Sequence, residues 1–382
     1  MSERMPVPAV NGGAVETLVD ILIDKNERDS EYIFTILSPF DEKVLIDKNQ
    51  RKNTKVEYLR TKGFLCFMRK AFYKILSNYN LFSSAQAASY LHSVNKNLKK
   101  NNQSFDLIVI ENRPEFGNYL KNSGIAMVLH LHNDFLSINT KSANKQLSHY
   151  NGVMAVSNYI RDRVLEIDSS SKVTTLYNGV NSMQANVGKS ELNEVRKKYG
   201  ILDTDTLILF TSRRLIPEKG TLEIIKAFIL SGLENTKMLI VGLIDSQFGE
   251  AMKNLALSSP NIIFAGYIDY DELPILYEMA DIGAVPSIWP EPFGNTVIEH
   301  LSVGNPVIVS DRGGIPEIVT NKCASIVHYD NNYVYNLSKS IKELVKNDTK
   351  REKMSIAARE RSNLFSSEVY WEAFKEKINY FM

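Results

Sequence analysis

The chain has 382 residues, 44% of them hydrophobic, and its 45 basic and 44 acidic side chains leave a formal net charge of +1. This apolar content excludes a largely disordered chain, and the length allows two domains of roughly 150 to 200 residues each. The only cysteines, Cys66 and Cys323, lie far apart without metal-type spacing, which excludes a disulfide framework and favours a reducing, cytoplasmic location.

Residues 51–100 concentrate positive charge, with eleven lysines and arginines against Glu57 alone, a local charge of +10. No apolar run of the sequence approaches the roughly 20 residues of a membrane-spanning helix, so contact with a membrane is expected to be peripheral. The segment 60–74 interleaves bases with large apolar groups, as a helix lying on an anionic bilayer would. The alternative is an amphipathic helix packed on the sheet with a solvated basic side. Nucleic-acid binding is not expected, because no recognition module accompanies the charge.

Short β-branched runs alternate with longer helical patterns along the whole chain, which predicts parallel sheets with crossover helices. The first series of predicted strands covers residues 31–37, 105–110, 125–130, 152–156 and 172–177. The second series covers residues 206–211, 237–241, 262–265, 282–285, 306–309 and 324–327. We therefore predict an α/β protein with two doubly wound domains in tandem.

The polar stretch after the turn Asn178-Gly179-Val180-Asn181 predicts the domain boundary. The first domain is expected at 1–180, the second at 181–365, and a final helix at 366–382. A Rossmann half normally begins with a strand before its glycine loop, yet only a few residues precede the loop at 6–13. The first strand is therefore expected to be truncated.

Glu291 and Glu299 stand with seven residues between them, ahead of a predicted buried strand. The first is expected on a loop and the second on a helix over 295–303. Asn295 and Glu299 would share a helix face, so a carboxylate, an amide and the free N–H groups of a helix N-terminus converge. These groups suit a sugar diol and a phosphate. The alternative is an ordinary acidic loop and a surface helix.

The run Glu291-Pro292-Phe293-Gly294, with Glu299 and the following strand in register, resembles the paired-glutamate signature of the retaining nucleotide-sugar glycosyltransferases of family 4. The resemblance implies the GT-B fold, with two facing Rossmann-like domains and a C-terminal helix that crosses back to the N-terminal domain. It implies that Glu291 binds hydroxyls of the transferred sugar and that Glu299 holds the ribose. Backbone amides toward sugar and phosphate would come from Phe293, Gly294, Asn295 and Thr296.

Two further elements match motifs of that family. Gly12-Gly13 is similar to its N-terminal glycine loop, which faces the diphosphate; the alternative is an ordinary turn. Arg214 and Lys219 fall on its two basic positions, while Arg213 replaces a small residue. Without a metal ion, these two cations would stabilise the leaving nucleoside diphosphate. The alternative is a pair of surface bases near a helix start.

The resemblance also assigns roles to strand ends. His132 would contact the donor sugar, whereas His130 is expected to point away or into the core. The base would stack near Tyr267. Acceptor binding at Glu111 and its two successors is a conjecture from their place at the sheet rim. The literal Asp-x-Asp at 269–271 is interpreted as a helix cap with an acidic first turn, and not as a metal site.

The sequence thus predicts a hexosyltransferase of the EC 2.4 type. It would move a sugar from a nucleotide donor to a glycan or lipid-linked acceptor with retention, in capsule, exopolysaccharide or cell-wall synthesis. The expected location is cytoplasmic, with peripheral contact at the inner face of the membrane, and no cofactor or metal ion is expected beside the donor. A nucleotide-sugar 2-epimerase of the same fold and a non-catalytic carbohydrate-binding scaffold are the alternatives. The base, sugar, acceptor and linkage stay open.

Overall fold

The computed structural model describes residues 1, 3–46, 51–60, 67–68, 85–100, 105–185, 187–244 and 246–382. The chain forms two compact units: unit 1 combines Met1–Gly179 with Tyr370–Met382, and unit 2 is Val180–Val369. Every strand pairing described in either unit is parallel. The predicted α/β class with two parallel-sheet domains is therefore confirmed.

Unit 1 has two separate sheets in the part of the chain that the structure describes. The two-stranded sheet consists of β1 (Phe34–Pro39) and β2 (Thr54–Leu59). The second sheet has the order β3-β4-β5-β6, with β3 (Leu107–Glu111), β4 (Ala126–Leu131), β5 (Gly152–Ala155) and β6 (Val173–Thr175). Four of the five predicted strands start within two residues of the observed ones, and β1 starts three residues late. Strand β2 was not predicted.

The N-terminal segment, residues 3–13, forms turns and bends but no strand. The N–H of Val7 donates to Oγ of Ser38 on β1 at 2.9 Å. The Val7 side chain is fully buried in a cluster with Val19 and Ile23. Side-chain packing and this hydrogen bond, and not strand pairing, attach the segment to β1.

In the described residues, the α-helices of unit 1 before the boundary are α1 (Ala14–Asp29), α2 (Ala85–Lys100), α3 (Gly117–Leu120), α4 (Ala143–Leu147) and α5 (Asn158–Leu165). Helix α1 packs on the second sheet through apolar side chains such as Leu18 and Leu22. Helix α5 begins after its N-cap residue Ser157, whose hydroxyl accepts from the N–H of Ile160 at 3.1 Å.

Unit 2 has a six-stranded sheet of order β12-β11-β10-β7-β8-β9. Its strands are β7 (Thr206–Leu215), β8 (Thr236–Ile244), β9 (Ile262–Gly266), β10 (Ile282–Val285), β11 (Val307–Ser310) and β12 (Ala324–Val327). Strands β10 and β11 are buried throughout, as strands covered on both faces are. The strand order reverses between β7 and β10, and such a switch point is where open α/β sheets bind ligands.

The helices of unit 2 are α6 (Lys189–Lys198), α7 (Thr221–Ser231), α8 (Ser246–Ala256), α9 (Leu273–Glu278), α10 (Asn295–Ser302), α11 (Ile315–Ile318), α12 (Tyr333–Lys346) and α13 (Asp348–Ser362). Helix α10 follows the predicted helix closely. The core between α7, α12 and the sheet is built from aliphatic side chains such as Ile224, Ile240 and Leu337.

The last helix, α14 (Ser367–Phe381), brings aromatic side chains into the core of unit 1. Trp371, Phe374 and Ile378 follow helical spacing and pack with Leu18 of α1. Nε1 of Trp371 donates to Asp29 at 2.5 Å. Aromatic side chains bury roughly 150–250 Å² each, so α14 supplies a large share of this core.

Candidate functional site

The loops after β7 and β10 bring together a cation and a carboxylate of unit 2. Nζ of Lys219 lies 2.7 Å from Oε1 of Glu291. Oγ of Ser287 donates to the same oxygen at 2.7 Å. The Glu291 side chain is 12% exposed and that of Lys219 is 35% exposed, so the pair stands at the protein surface with the carboxylate mostly covered.

Backbone contacts hold these two loops together. The carbonyl of Glu218 accepts the N–H groups of Ile288 at 3.0 Å and Trp289 at 3.2 Å. Gly220 has φ 72°, and a Cβ there would overlap the carbonyl of Pro286. The close approach that places Lys219 beside Glu291 therefore requires glycine at position 220.

A second glycine supports the backbone of Glu291 from the loop after β11. Gly313 has φ 63°, and a Cβ at this position would overlap the backbone N and O of Glu291. The next residue, Gly314, donates its N–H to the Glu291 carbonyl at 2.7 Å. No role was predicted for Gly313, Gly314 or Ser287, although a Gly-Gly pair directly after a buried strand is a recognisable sign of a tight loop.

The predicted amide donors lie at the start of α10. Gly294 is its N-cap residue with φ 123°. Asn295 and Thr296 form the first turn and are partly exposed. The Phe293 side chain is buried, with its ring centroid 5.8 Å from that of Phe365. The side chain therefore belongs to the core, and only the backbone of Phe293 could contribute to the site.

Glu299 is buried, which excludes the surface-helix alternative for this residue. The Tyr277 hydroxyl donates to its Oε2 at 2.5 Å and lies 2.8 Å from Oγ1 of Thr211. Tyr270 also hydrogen bonds to Glu299 through its hydroxyl. Burial raises the pKa of Glu299, and the hydrogen bonds from the two tyrosines oppose that shift. Both tyrosines were missed because they come from other elements.

The segment after β9 differs in part from the prediction. Tyr267 is 49% exposed, which leaves its ring free to stack on a base. Asp269 takes the N-cap position of a 3-10 turn, but its side chain makes no capping hydrogen bond. The capping role predicted for this carboxylate is wrong, whereas the acidic first turn, with Asp271 and Glu272, is present.

Arg214 lies on a strand that is longer than the predicted range of 206–211. Strand β7 continues to Leu215, and a register shift between Thr211 and Arg214 places Arg214 opposite Leu243 of β8. Arg214 is exposed at the end of this strand. Among the described residues, the cation in contact with Glu291 is Lys219.

In unit 1, Gly12 and Gly13 have φ 65° and 129°, the positive values that the glycine loop was expected to need. Gly13 is the N-cap residue of α1. The buried carboxylate of Glu16 folds back against Gly13, since a Cβ there would overlap it. A negative group therefore already stands at this helix N-terminus, where it is favoured.

His132 and His130 share one buried carboxylate. Nε2 of His132 lies 2.9 Å from Oε2 of Glu111, and Nδ1 of His130 lies 3.1 Å from the same oxygen. His130 was expected to point away or into the core. It is fully buried, but it does not point away from His132, because residues two apart on a strand share a face; the ring centroids are 4.0 Å apart. Burial and the neighbouring His130 lower the pKa of His132 to about 4.

Glu111, His130 and His132 also form the one group among the described residues whose ligand atoms could hold a metal ion, with all three lying within 4.8 Å of one another. Two imidazoles and a carboxylate suit zinc and related transition metals. Although burial acts to raise it, the two imidazoles hold the pKa of Glu111 below its usual range.

The comparison with protein families concerns unit 2. Residues 193–361 match the family model described as Glycosyl transferases group 1. Over these residues, called the group 1 region below, unit 2 is similar to the group 1 glycosyl transferases. The region contains Lys219, Glu291 and Glu299, and so the whole cluster described above for unit 2.

Similarity to individual known proteins extends beyond the group 1 region of the chain. Spore coat protein SA of Bacillus subtilis (strain 168) is 24% identical over 401 residues, covering 99% of this chain and 96% of the relative. The capsular polysaccharide biosynthesis glycosyltransferase CapM of Staphylococcus aureus is 24% identical over 60% of this chain and 62% of its own. Alr3699/HepE of Anabaena, solved with UDP and glucose, is 20% identical with a TM-score of 0.72 over 96% of each chain.

The family match and the similarity to CapM support glycosyltransferase activity over the epimerase and scaffold alternatives, and the likeness to the Anabaena structure shows the GT-B fold. Within the described ranges, no helix has the length and apolar character needed to cross a bilayer. Residues 61–66 and 69–84, which carry most of the segment predicted to lie on a membrane, are outside the described residues.

The group 1 region also contains a buried histidine that makes its stability depend on pH. His300 of α10 is fully buried, and its ring fills the space beside Gly283, where a Cβ would lie 2.5 Å from Cγ of the ring. Burial lowers the pKa of His300 to about 3. The unfolded chain binds a proton near the usual pKa of 6.5, so the free energy of unfolding falls as pH drops through that value.

We expect this histidine to contribute a loss of about 2 kcal/mol in the free energy of unfolding between pH 7 and pH 5. His300→Asn keeps an acceptor for the side chain of Asn305 but removes the titration, so urea unfolding at the two pH values should show a correspondingly smaller loss. His328→Asn is the comparison variant: Asp311 raises the pKa of this exposed histidine, so its contribution has the opposite sign and the loss in this variant should equal or exceed that of the wild type. An unchanged loss in His300→Asn would contradict the assignment.

Proposed function

We propose that this protein transfers a hexose-type sugar from a nucleotide-sugar donor to a glycan or lipid-linked acceptor with retention of the anomeric configuration. The observation that carries this proposal is the contact of Lys219 with Glu291, at the switch point of the unit 2 sheet. The buried carboxylate of Glu299, on the helix that follows the Glu291 loop, adds a second polar group for the same ligand.

Lys219 would stabilise the leaving group. Negative charge develops on the β-phosphate as the sugar–oxygen bond breaks, and a fixed cation lowers the energy of that state. An ammonium group has three N–H donors, and the contact with Glu291 uses one of them. The exposed Arg214 is proposed as the second cation. With both side chains in place, the reaction is proposed to need no metal ion.

Glu299 would hold the ribose through two hydrogen bonds from adjacent hydroxyls. The hydroxyl of Tyr270 now uses this carboxylate, and Tyr270 is 45% exposed whereas Tyr277 is fully buried. We therefore assign Tyr270 as the group that the ribose displaces. The exposed ring of Tyr267 would stack on the base.

The remaining donor contacts are proposed on the same basis. Glu291 would bind hydroxyls of the transferred sugar, and the backbone of residues 293–296 would offer amides to sugar and phosphate. The roles of Gly12, Gly13 and His132 toward diphosphate and sugar stay predictions. The similarity to CapM supports a role in capsule, exopolysaccharide or cell-wall synthesis. Cytoplasmic location and contact with an anionic membrane stay predictions as well.

Two measurements test the proposal. A thermal-shift screen against UDP, GDP, ADP and dTDP should identify one preferred diphosphate, and UDP comes first because the Anabaena structure contains it. Release of that diphosphate from its sugar conjugates should then require, or be accelerated by, a glycan or lipid-linked acceptor. Conversion of the donor into an isomer without acceptor would instead show the epimerase, and binding without any turnover would favour the scaffold.

The stereochemistry and the metal requirement are tested on the same reaction. The anomeric proton of the product, followed by NMR, should show the configuration of the donor sugar. Turnover should persist in the presence of EDTA. Inverted product would refute retention, and loss of activity that added Mg²⁺ or Mn²⁺ restores would refute the metal-free assignment.

A further inference from the structure

Residues Glu111 and Asn112 hold His132 at two points and its neighbour His130 at a third. The N–H of Asn112 donates to the carbonyl of His130 at 2.7 Å, which extends the ladder between β3 and β4 by one residue. The side-chain oxygen of Asn112 accepts the backbone N–H of His132 at 3.1 Å. Oε2 of Glu111 lies 2.9 Å from Nε2 of His132. Backbone and ring of His132 are therefore both fixed by the end of the neighbouring strand.

The direction of the ring hydrogen bond determines the tautomer. A carboxylate can only accept, so the bond to Glu111 requires the proton of His132 on Nε2. The other nitrogen of a neutral ring, Nδ1, then carries a lone pair and can only accept.

We propose that Glu111 is a positioning residue, whose carboxylate locks His132 in the Nε2-protonated tautomer and so presents Nδ1 as a hydrogen-bond acceptor for a sugar hydroxyl. This inference rests on the proposed function, in which His132 contacts the donor sugar. A hydroxyl of the sugar would supply the donor to Nδ1, which is buried and has no hydrogen-bond partner among the described residues. The role extends to His130, which approaches the same carboxylate oxygen and helps to orient it.

The groups that face this carboxylate come from several elements of unit 1. His130 belongs to β4 and His132 follows the end of that strand, the hydroxyl of Tyr370 comes from α14, and the Met1 amino group interacts with Glu111 from the N-terminal segment. The contact of 2.9 Å between Oε2 of Glu111 and Nε2 of His132 is a hydrogen bond, and Nδ1 of His130 lies 3.1 Å from the same oxygen. A bound metal ion would replace both contacts, and it is the competing occupant in the test.

The tautomer can be observed directly in protein labelled with ¹⁵N-histidine. The chain has six histidines, so a long-range ¹H–¹⁵N spectrum is simple, and His132→Gln identifies the resonances of this ring. In the wild-type protein, His132 should be neutral with its proton on Nε2 at pH 7. In Glu111→Ala the ring should become a mixture of tautomers, whereas Glu111→Gln, which keeps an accepting oxygen, should retain most of the wild-type signal.

Glu115→Gln serves as the matched control, since it removes a nearby carboxylate that pairs with Arg113 and should leave the spectrum of His132 unchanged. Wild-type His132 protonated on Nδ1, or an unaltered tautomer in Glu111→Ala, would overturn the proposal. Stoichiometric shifts of His130 and His132 on addition of Zn²⁺ at micromolar concentration would overturn it in favour of a metal site.

The kinetic consequence separates this inference from the proposed function. Loss of an orienting partner typically costs roughly 10- to 100-fold in activity, so Glu111→Ala should reduce kcat to that extent and Glu111→Gln should restore part of it. If the wild-type protein turns over no nucleotide sugar, the proposed function fails while the tautomer measurement still stands. If turnover is present and Glu111→Ala retains it fully, the positioning role alone fails.

Discussion

Lys219→Ala is expected to lower the turnover of the preferred donor by roughly 100- to 1,000-fold, the usual effect of removing one electrostatic stabiliser of a developing negative charge. The reason is the position of the Lys219 Nζ, which lies 2.7 Å from Oε1 of Glu291 beside the switch point of the unit 2 sheet. The cation acts mainly on charge that appears as the bond breaks, so kcat should fall far more than the affinity for free diphosphate. Steady-state kinetics with saturating donor measures this effect.

The matched control is Lys226→Ala, which removes an exposed lysine two turns further along the chain, on α7. This variant should keep wild-type kinetics. Circular dichroism and a thermal melt of Lys219→Ala should match those of the wild type, because its partly exposed ion pair adds little to stability. A decrease in kcat of less than fivefold in Lys219→Ala would show that Lys219 does not stabilise the leaving group.

Glu299→Ala is expected to weaken nucleotide binding by roughly 10- to 100-fold, since hydrogen bonds to a charged group contribute about 1.5–3 kcal/mol. The carboxylate is buried and already accepts from Tyr277 at 2.5 Å, so its geometry is fixed before the ribose arrives. Isothermal titration with the preferred nucleoside diphosphate measures the loss. Comparison with the 2′-deoxynucleotide should show a smaller loss, because one of the two hydroxyls is absent.

Two further variants sharpen the interpretation of Glu299. Tyr270→Phe removes the hydroxyl that competes for this carboxylate, so nucleotide affinity should be equal to or higher than that of the wild type. Glu272→Ala removes a nearby acidic side chain of the same loop region and should have no effect. Unchanged affinity in Glu299→Ala, or a loss as large in Tyr270→Phe, would contradict the ribose assignment.

Most of the sheet architecture could be predicted because strands such as β10 and β11 are short, uninterrupted apolar runs. Strand β2 escaped prediction because its sequence, Thr-Lys-Val-Glu-Tyr-Leu, carries charges within a basic segment. Lys55 and Glu57 pair with each other there at 2.5 Å, so the charges that obscured the strand are compatible with it. The extension of β7 to Leu215 was missed because the basic residues Arg213 and Arg214 follow its apolar run.

The candidate site, like the fold, could be predicted only in part. Motif spacing indicated Glu291, Glu299 and Lys219, but it could not show that Lys219 contacts Glu291, because the two are separated by 72 positions. Tyr270, Tyr277 and Ser287 are ordinary residues in sequence, and only the folded chain brings their hydroxyls to the two carboxylates. The error on His130 was one of strand geometry, not of tertiary structure.

The return of the chain to unit 1 in its last helix affects how the protein folds. Unit 2 is one continuous segment, Val180–Val369, whereas unit 1 joins Met1–Gly179 to Tyr370–Met382. The contacts of Trp371 and Phe374 with Leu18 therefore connect segments that all of unit 2 separates. Because contacts between distant segments carry a large cost in loop-closure entropy, we expect unit 1 to complete its core more slowly than unit 2.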